Sequence, residues 1–169
     1  MSLLVIDFTY LEGKDGELVV KELANVDSPN NRVSSYVFKR PYGWEVLSVF
    51  NVRLNEAIDH GCNWNYGFVI YSDLKIVVHS EASSAVAIYC FGPLKTEFIS
   101  SLINRTVIDI TQFGCPLLAD INLSTTSCTF ACHKSKHVCA LRTAYSVSQC
   151  LHFYTVSLQY VSCPQPTYH

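Results

Sequence analysis

Cysteine and histidine side chains are concentrated in one short stretch near the C-terminus. The segment SCTFACHKSKHVCAL, residues 127–141, contains three cysteines and two histidines within twelve positions. Thiolates and imidazoles are the usual ligands of structural zinc, and two of them commonly lie close in sequence while the fold brings the others. The spacing Cys128-x4-His133-x5-Cys139 is a loose version of that pattern. The stretch is therefore a candidate zinc site.

More than one assignment of this cluster is open. Cys132 and His137 are additional candidate ligands, and the cluster contains no C-x2-C pair. The alternative to zinc is a polar loop that precedes a helix, with Cys139 buried at the helix start as a small apolar side chain.

Acidic side chains are the second group that could carry chemistry. Two-metal nucleases use several carboxylates to position an attacking water. Asp7 lies in the middle of VIDFT, but Thr9 stands where an Asp-x-Glu motif would have its second carboxylate. Glu22 lies within the apolar segment VVKELANV, where strand alternation predicts it on one face with Val20 and Ala24. A buried carboxylate there needs a partner or a metal, whereas one on an edge strand would simply face water.

Aromatic and basic residues suggest a nucleic-acid surface. The loop NWNYG supplies Trp64 and Tyr66, which could stack on single-stranded bases, and Lys134 and Lys136 could contact phosphates. The alternative is that the two rings pack beneath the loop. The chain has 12 Lys and Arg against 14 Asp and Glu, so no strong basic field recruits nucleic acid by charge alone.

Runs of β-branched and aromatic residues and helical periodicities predict the elements that position these groups. Strands are predicted over 3–11, 17–27, 31–40, 85–92 and 106–110. Helices are predicted over 47–58, 69–78, 93–103 and 138–151. An antiparallel meander followed by β-α-β units predicts an α/β fold of the ribonuclease H-like type, a mixed sheet flanked by helices.

The length and composition indicate one domain with a sizeable core. The chain has 169 residues, of which 49% are hydrophobic and 15% are charged. The N-terminus has no signal-peptide pattern and no apolar run is long enough for a membrane span, so we expect an intracellular protein, cytoplasmic or nuclear, whose cysteines are thiols or metal ligands. We expect the domain to occupy 1–151 and a tail of unknown role to occupy 152–169.

Several motifs, taken in order, resemble a known family. They are VIDFTYLEG, VVKELANVD, KRPYGW, DHGCNWNYGFVIYSDLK, TVIDITQFGCPLL and a closing C…H…CALxxA block. Over about residues 3–150, this order is similar to the ribonuclease H-like domain of Maelstrom-type proteins of the piRNA pathway. The more distant relatives of that domain are the exonucleases named for four acidic residues and a histidine.

The resemblance implies that the catalytic acids are lost and that Glu, Cys, His and Cys hold a structural zinc. Glu22 matches the glutamate of the family's Glu-hydrophobic-Ala pattern, and His133 and Cys139 match the last two ligands. Cys128 is the best match for the first cysteine, with Cys132 as the alternative. Asp7 is then a remnant of the acidic motif, and Cys139 stands where the exonucleases have a further acid.

Three functions are compatible with these residues. The favoured one is a catalytically degenerate, zinc-stapled domain that binds single-stranded RNA or a protein partner, in the manner of small-RNA silencing proteins. The second is a single-stranded RNA nuclease that acts without the four acids. The third is a non-functional product of a duplicated or mobile element. The sequence does not predict an oligomeric state.

Overall fold

The protein has an α/β fold built on one five-stranded mixed sheet. The computed structural model describes residues 2–28, 30, 32–49, 51–52, 64–114 and 139–161. None of the helices within these ranges is long and apolar enough to cross a membrane.

The first three strands form an antiparallel meander, which confirms the sequence prediction. They are β1 (Ser2–Glu12), β2 (Leu18–Ser28) and β3 (Arg32–Val37). The turn between β1 and β2 requires positive φ angles, 58° at Asp15 and 79° at Gly16, and these are residue types that tolerate that conformation.

The chain then returns to the other side of β1 through β-α-β units. β4 (Ala85–Cys90) pairs in parallel with β1, and β5 (Ile108–Asp109) pairs in parallel with β4. The sheet order is therefore β3-β2-β1-β4-β5, which is compatible with a ribonuclease H-like arrangement.

Helices cover both faces of the sheet. One face packs against α1 (Leu74–Ala82) and α2 (Pro93–Ile103), and the shared core includes Ile6, Phe8 and Ile88. The other face packs against α3 (Ala140–Val161), where Val5, Ala24 and Val26 meet the helix. Side chains alternate between the two faces along each strand, so residues on β1 and β2 are divided between the two cores.

Several element boundaries differ from the sequence prediction. The helix predicted over 69–78 begins only at Leu74, because Val69 forms a bridge with Phe38 and a 3-10 turn, Tyr71–Asp73, precedes the helix. The strand predicted over 106–110 is reduced to two residues. Only the start of the helix predicted over 47–58 falls within the described residues, where positions 49, 51 and 52 are helical.

The last helix is the largest departure. α3 continues without a break from Ala140 to Val161, through the predicted boundary between 151 and 152. The alternating pattern of FYTVSLQYV, residues 153–161, could also form a strand, but Leu151, Tyr154 and Leu158 have helical spacing. Extending an existing helix costs far less than starting a new element, so the helical alternative prevails.

A β-bulge interrupts the pairing of β1 and β2. Thr9 lies opposite Glu22 and Tyr10 lies opposite Val20, which leaves Lys21 as the additional residue on β2. The bulge corrects the predicted alternation, because it turns Val20 into the core beneath α1 and α2 while Glu22 and Ala24 remain on the α3 side. As a result, the side chains of the adjacent residues Lys21 and Glu22 have different surroundings: Lys21 contacts the Phe38 carbonyl and Glu22 contacts the start of α3.

Candidate functional site

Asp7 lies in the middle of β1, on the face that α3 covers. It pairs across the strands with Ala24, which is part of the core beneath α3. β1 runs parallel to β4, so Asp7 lies near the carboxyl end of β4, and the first turn of α2 follows directly after that end. The carboxyl ends of parallel strands are the common location of functional sites in α/β sheets.

Lys95 from the first turn of α2 neutralises Asp7. Its Nζ lies 2.6 Å from the Asp7 Oδ1 atom, and the Lys95 side chain is only 21% exposed. The same ammonium group lies 5.5 Å from the centre of the Phe8 ring, which adds a cation–π contact. The cation next to this carboxylate is thus supplied by the chain itself.

The protonation equilibrium of Asp7 reflects two opposing effects. Burial raises the pKa of Asp7 above its ordinary value of 3.8, and the neighbouring Lys95 partly opposes this rise. The charge of Glu22 raises the pKa further, which is consistent with both carboxylates lying on one face.

Thr9 occupies the position where a second carboxylate would lie. It is directly opposite Glu22, and its hydroxyl oxygen is buried without a hydrogen-bond partner among the described residues. A hydroxyl here can neither balance the charge of a divalent ion nor bridge two such ions as a carboxylate can.

Asp109, on the strand next to β4, has a structural role. Asp109 Oδ1 accepts hydrogen bonds from the backbone N–H of Gly92 at 2.9 Å and from the backbone and hydroxyl of Thr111 at 3.0 and 2.8 Å. It thereby caps the 3-10 turn that follows β5. Burial also raises the pKa of the Cys90 thiol, with the charge of Asp7 as a further cause, so Cys90 is a protonated thiol at neutral pH.

Glu22 meets the beginning of α3. Its side chain is fully buried, which overturns the edge-strand alternative, and its Oε2 accepts a hydrogen bond of 3.2 Å from the backbone N–H of Ala140. The first N–H groups of a helix have no partner within the helix, and the Glu22 side chain satisfies one of them. Cys139 Sγ lies 3.9 Å from Glu22 Oε1 and is also buried. The structure thus brings together two residues that are 117 positions apart.

A carboxylate and a thiol in contact are two of the donor types that zinc accepts. The other residues assigned to this cluster lie outside the described residues: Cys128, Cys132, His133, Lys134, Lys136 and His137. Within the described ranges alone, no group of three His, Cys, Asp or Glu side chains could hold a metal ion. Glu22 and Cys139 are thus the members of the predicted cluster that the structure describes, and it places them in contact.

Trp64 and Tyr66 have different environments. Trp64 is fully buried, its Nε1 donates to the Tyr42 carbonyl oxygen at 3.1 Å, and its ring lies 5.3 Å from the rings of Tyr42 and Trp44. It packs beneath the loop and does not present a face for base stacking. Tyr66 is half-buried and packs edge-to-face on the exposed Phe68, with ring centres 5.3 Å apart.

Two lysines were not identified from the sequence. Lys95 lies in an amphipathic helix, where a lysine is expected to face solvent. Its contact with Asp7, 88 positions away, depends on the tertiary fold. Lys21 is fully buried, and its Nζ donates to the carbonyl oxygens of Phe38, Trp64 and Tyr66 at 2.6, 3.2 and 2.7 Å. The sequence did contain a signal for Lys21, because a lysine inside the apolar run VVKELANV must find hydrogen-bond acceptors when the strand is buried.

No protein-family model matches the sequence, and a search of curated proteins finds no significant match.

Proposed function

We propose that this chain is a catalytically degenerate ribonuclease H-like domain that binds RNA or a protein partner instead of cleaving nucleic acid with two metal ions. The observation that carries the proposal is the ion pair between Asp7 and Lys95. A divalent ion at Asp7 would have to displace an ammonium group 2.6 Å from the carboxylate, or bind against its repulsion. Thr9 then offers no second carboxylate to compensate for that cost.

The sheet order supports the fold part of the proposal. An antiparallel β1-β2-β3 meander, followed by parallel β4 and β5 on the other side of β1, agrees with the ribonuclease H-like order. The motif resemblance to Maelstrom-type domains points to the same fold and to a role in small-RNA silencing.

The second part of the proposal is one structural zinc ion, held by Glu22, Cys128, His133 and Cys139. The support is the contact between Glu22 and Cys139 at the start of α3. Four protein ligands would leave no open position for a water, so such a zinc would stabilise the fold without activating a nucleophile. It would connect β2 to the segment that precedes α3.

A cleavage assay tests the proposal. A 5′-labelled single-stranded RNA is incubated with the wild-type protein, Asp7→Asn and a mock purification, with magnesium or manganese present or chelated. We expect any cleavage in the wild-type sample to be equal in Asp7→Asn, because one neutralised carboxylate cannot position two metal ions. Cleavage that depends on the metal and is abolished by Asp7→Asn would overturn the proposal.

A further inference from the structure

One exposed ring and two exposed cations lie on two segments of the chain that run side by side. Phe38 pairs with Val69 in a parallel bridge, and the Lys39 backbone N–H donates to the Val69 carbonyl at 2.7 Å. The segments 38–40 and 66–70 are therefore adjacent. We refer to the surface formed by Lys39, Arg40, Tyr66, Phe68 and Ile70 as the basic aromatic patch.

The side chains of this patch are accessible. Phe68 is 64% exposed and Ile70 is 58% exposed, so both large apolar side chains are mostly accessible to solvent. Lys39 and Arg40 are also exposed, and within the described part of the chain neither forms an ion pair. The two segments contain two basic residues and no acidic residue, although the whole chain carries −2.

The backbone beneath the patch is held firmly. Gly67 has a φ of 150°, and a Cβ atom there would lie 2.2 Å from the Phe38 carbonyl oxygen, so only glycine allows this close approach. Phe68 N–H donates to the Val37 carbonyl at 2.8 Å. From below, the buried Lys21 ammonium binds the carbonyls of Phe38 and Tyr66, one from each segment.

We propose that the basic aromatic patch binds single-stranded RNA, with Phe68 as a stacking platform and with Lys39 and Arg40 on the phosphates. Proteins that bind single strands with little sequence preference combine exposed aromatic rings with nearby cations, and a platform fixed before binding loses little entropy on association. A purely apolar protein partner would leave the two cations without partners. The choice of RNA as ligand rests on the proposed function, whereas the location of the binding patch does not depend on the proposed zinc site.

Fluorescence anisotropy with a labelled 12-nucleotide uridine RNA tests the patch. We expect Phe68→Ala to weaken binding about tenfold, the scale of one lost base–aromatic stack. Phe113→Ala is the matched control, because Phe113 is 59% exposed but lies after β5, and it should leave the affinity unchanged. The double variant Lys39→Ala/Arg40→Ala should lower the slope of log affinity against log salt by about 1.4, because each lost phosphate contact removes about 0.7.

The controls separate this inference from the proposed function. Lys14→Ala removes an exposed cation outside the patch and should retain most of the salt slope. RNA binding that responds equally to Phe68→Ala and Phe113→Ala would overturn the patch while leaving an RNA-binding domain. If the wild-type protein binds no RNA, the proposed RNA-binding role of the patch and the choice of RNA as ligand are both wrong. The cleavage assay and the zinc content would still test whether the catalytic site is degenerate.

Discussion

Asp7 and Glu22 are two buried carboxylates on the same face of the same sheet, and the protein stabilises them differently. Asp7 has a lysine from α2 within 2.6 Å. Glu22 has the N-terminal backbone of α3 at 3.2 Å and the Cys139 thiol at 3.9 Å. The first carboxylate meets a full positive charge, and the second meets a helix N-terminus and a thiol.

The proposed function assigns the two carboxylates different roles because their neighbours differ. A buried carboxylate is costly until a cation balances it, and that cation can be a side chain or a metal. At Asp7 the side chain of Lys95 supplies the balance. At Glu22 the described partners are the Ala140 N–H and the Cys139 thiol, and the proposed zinc would supply the balancing cation there.

Removal of Lys95 should produce the largest change at the Asp7 side of this comparison. Lys95→Met retains most of the apolar stem but leaves Asp7 without its counterion. We expect unfolding in urea at pH 8 to show a loss of about 2–3 kcal/mol, below the 3–5 kcal/mol of fully buried pairs because Lys95 is 21% exposed.

The double variant Asp7→Asn/Lys95→Met provides the control for this prediction. It removes the unpaired charge and should recover most of the lost free energy of unfolding. Equal destabilisation of the single and double variants would show that packing, and not the ion pair, sets the cost.

A smaller effect should appear in the pH dependence of stability. Because burial raises the pKa of Asp7 above 3.8, the folded protein retains its proton to a higher pH than the unfolded chain does. The contribution of Asp7 to the free energy of unfolding should therefore decrease as the pH rises from about 4 through the folded pKa. Urea unfolding of wild type and Asp7→Asn between pH 4 and 8 measures this contribution as a difference.

The sign of that difference sharpens the comparison. Stability of the wild type relative to Asp7→Asn should fall with rising pH across this window. A relative stability that rises instead would mean that Lys95 lowers the pKa more than burial raises it, and that the pair behaves as an ordinary salt bridge.

The meander, β4 and α2 could be predicted from local patterns, because β-branched runs, turn residues and a proline at a helix start act over short distances. The bulge at Lys21 could not be predicted, because the sequence VVKELANV does not show which residue is left unpaired when the two strands align. The Asp7–Lys95 pair also depends on tertiary structure that joins distant positions. Glu22 and Cys139 were named together only through the family resemblance, since spacing cannot bring together residues 117 positions apart.

The zinc content of the protein tests the contrast between the two carboxylates most directly. Elemental analysis is applied to wild type, Glu22→Gln and Asp7→Asn, each purified without added metal. Glu22→Gln keeps an oxygen that can accept from Ala140 N–H but loses the charge that a zinc ligand needs. We predict one zinc per chain in wild type and in Asp7→Asn, and substantially less in Glu22→Gln. Less than half an equivalent in the wild type, or equal zinc in all three proteins, would contradict the assignment of Glu22 as a ligand.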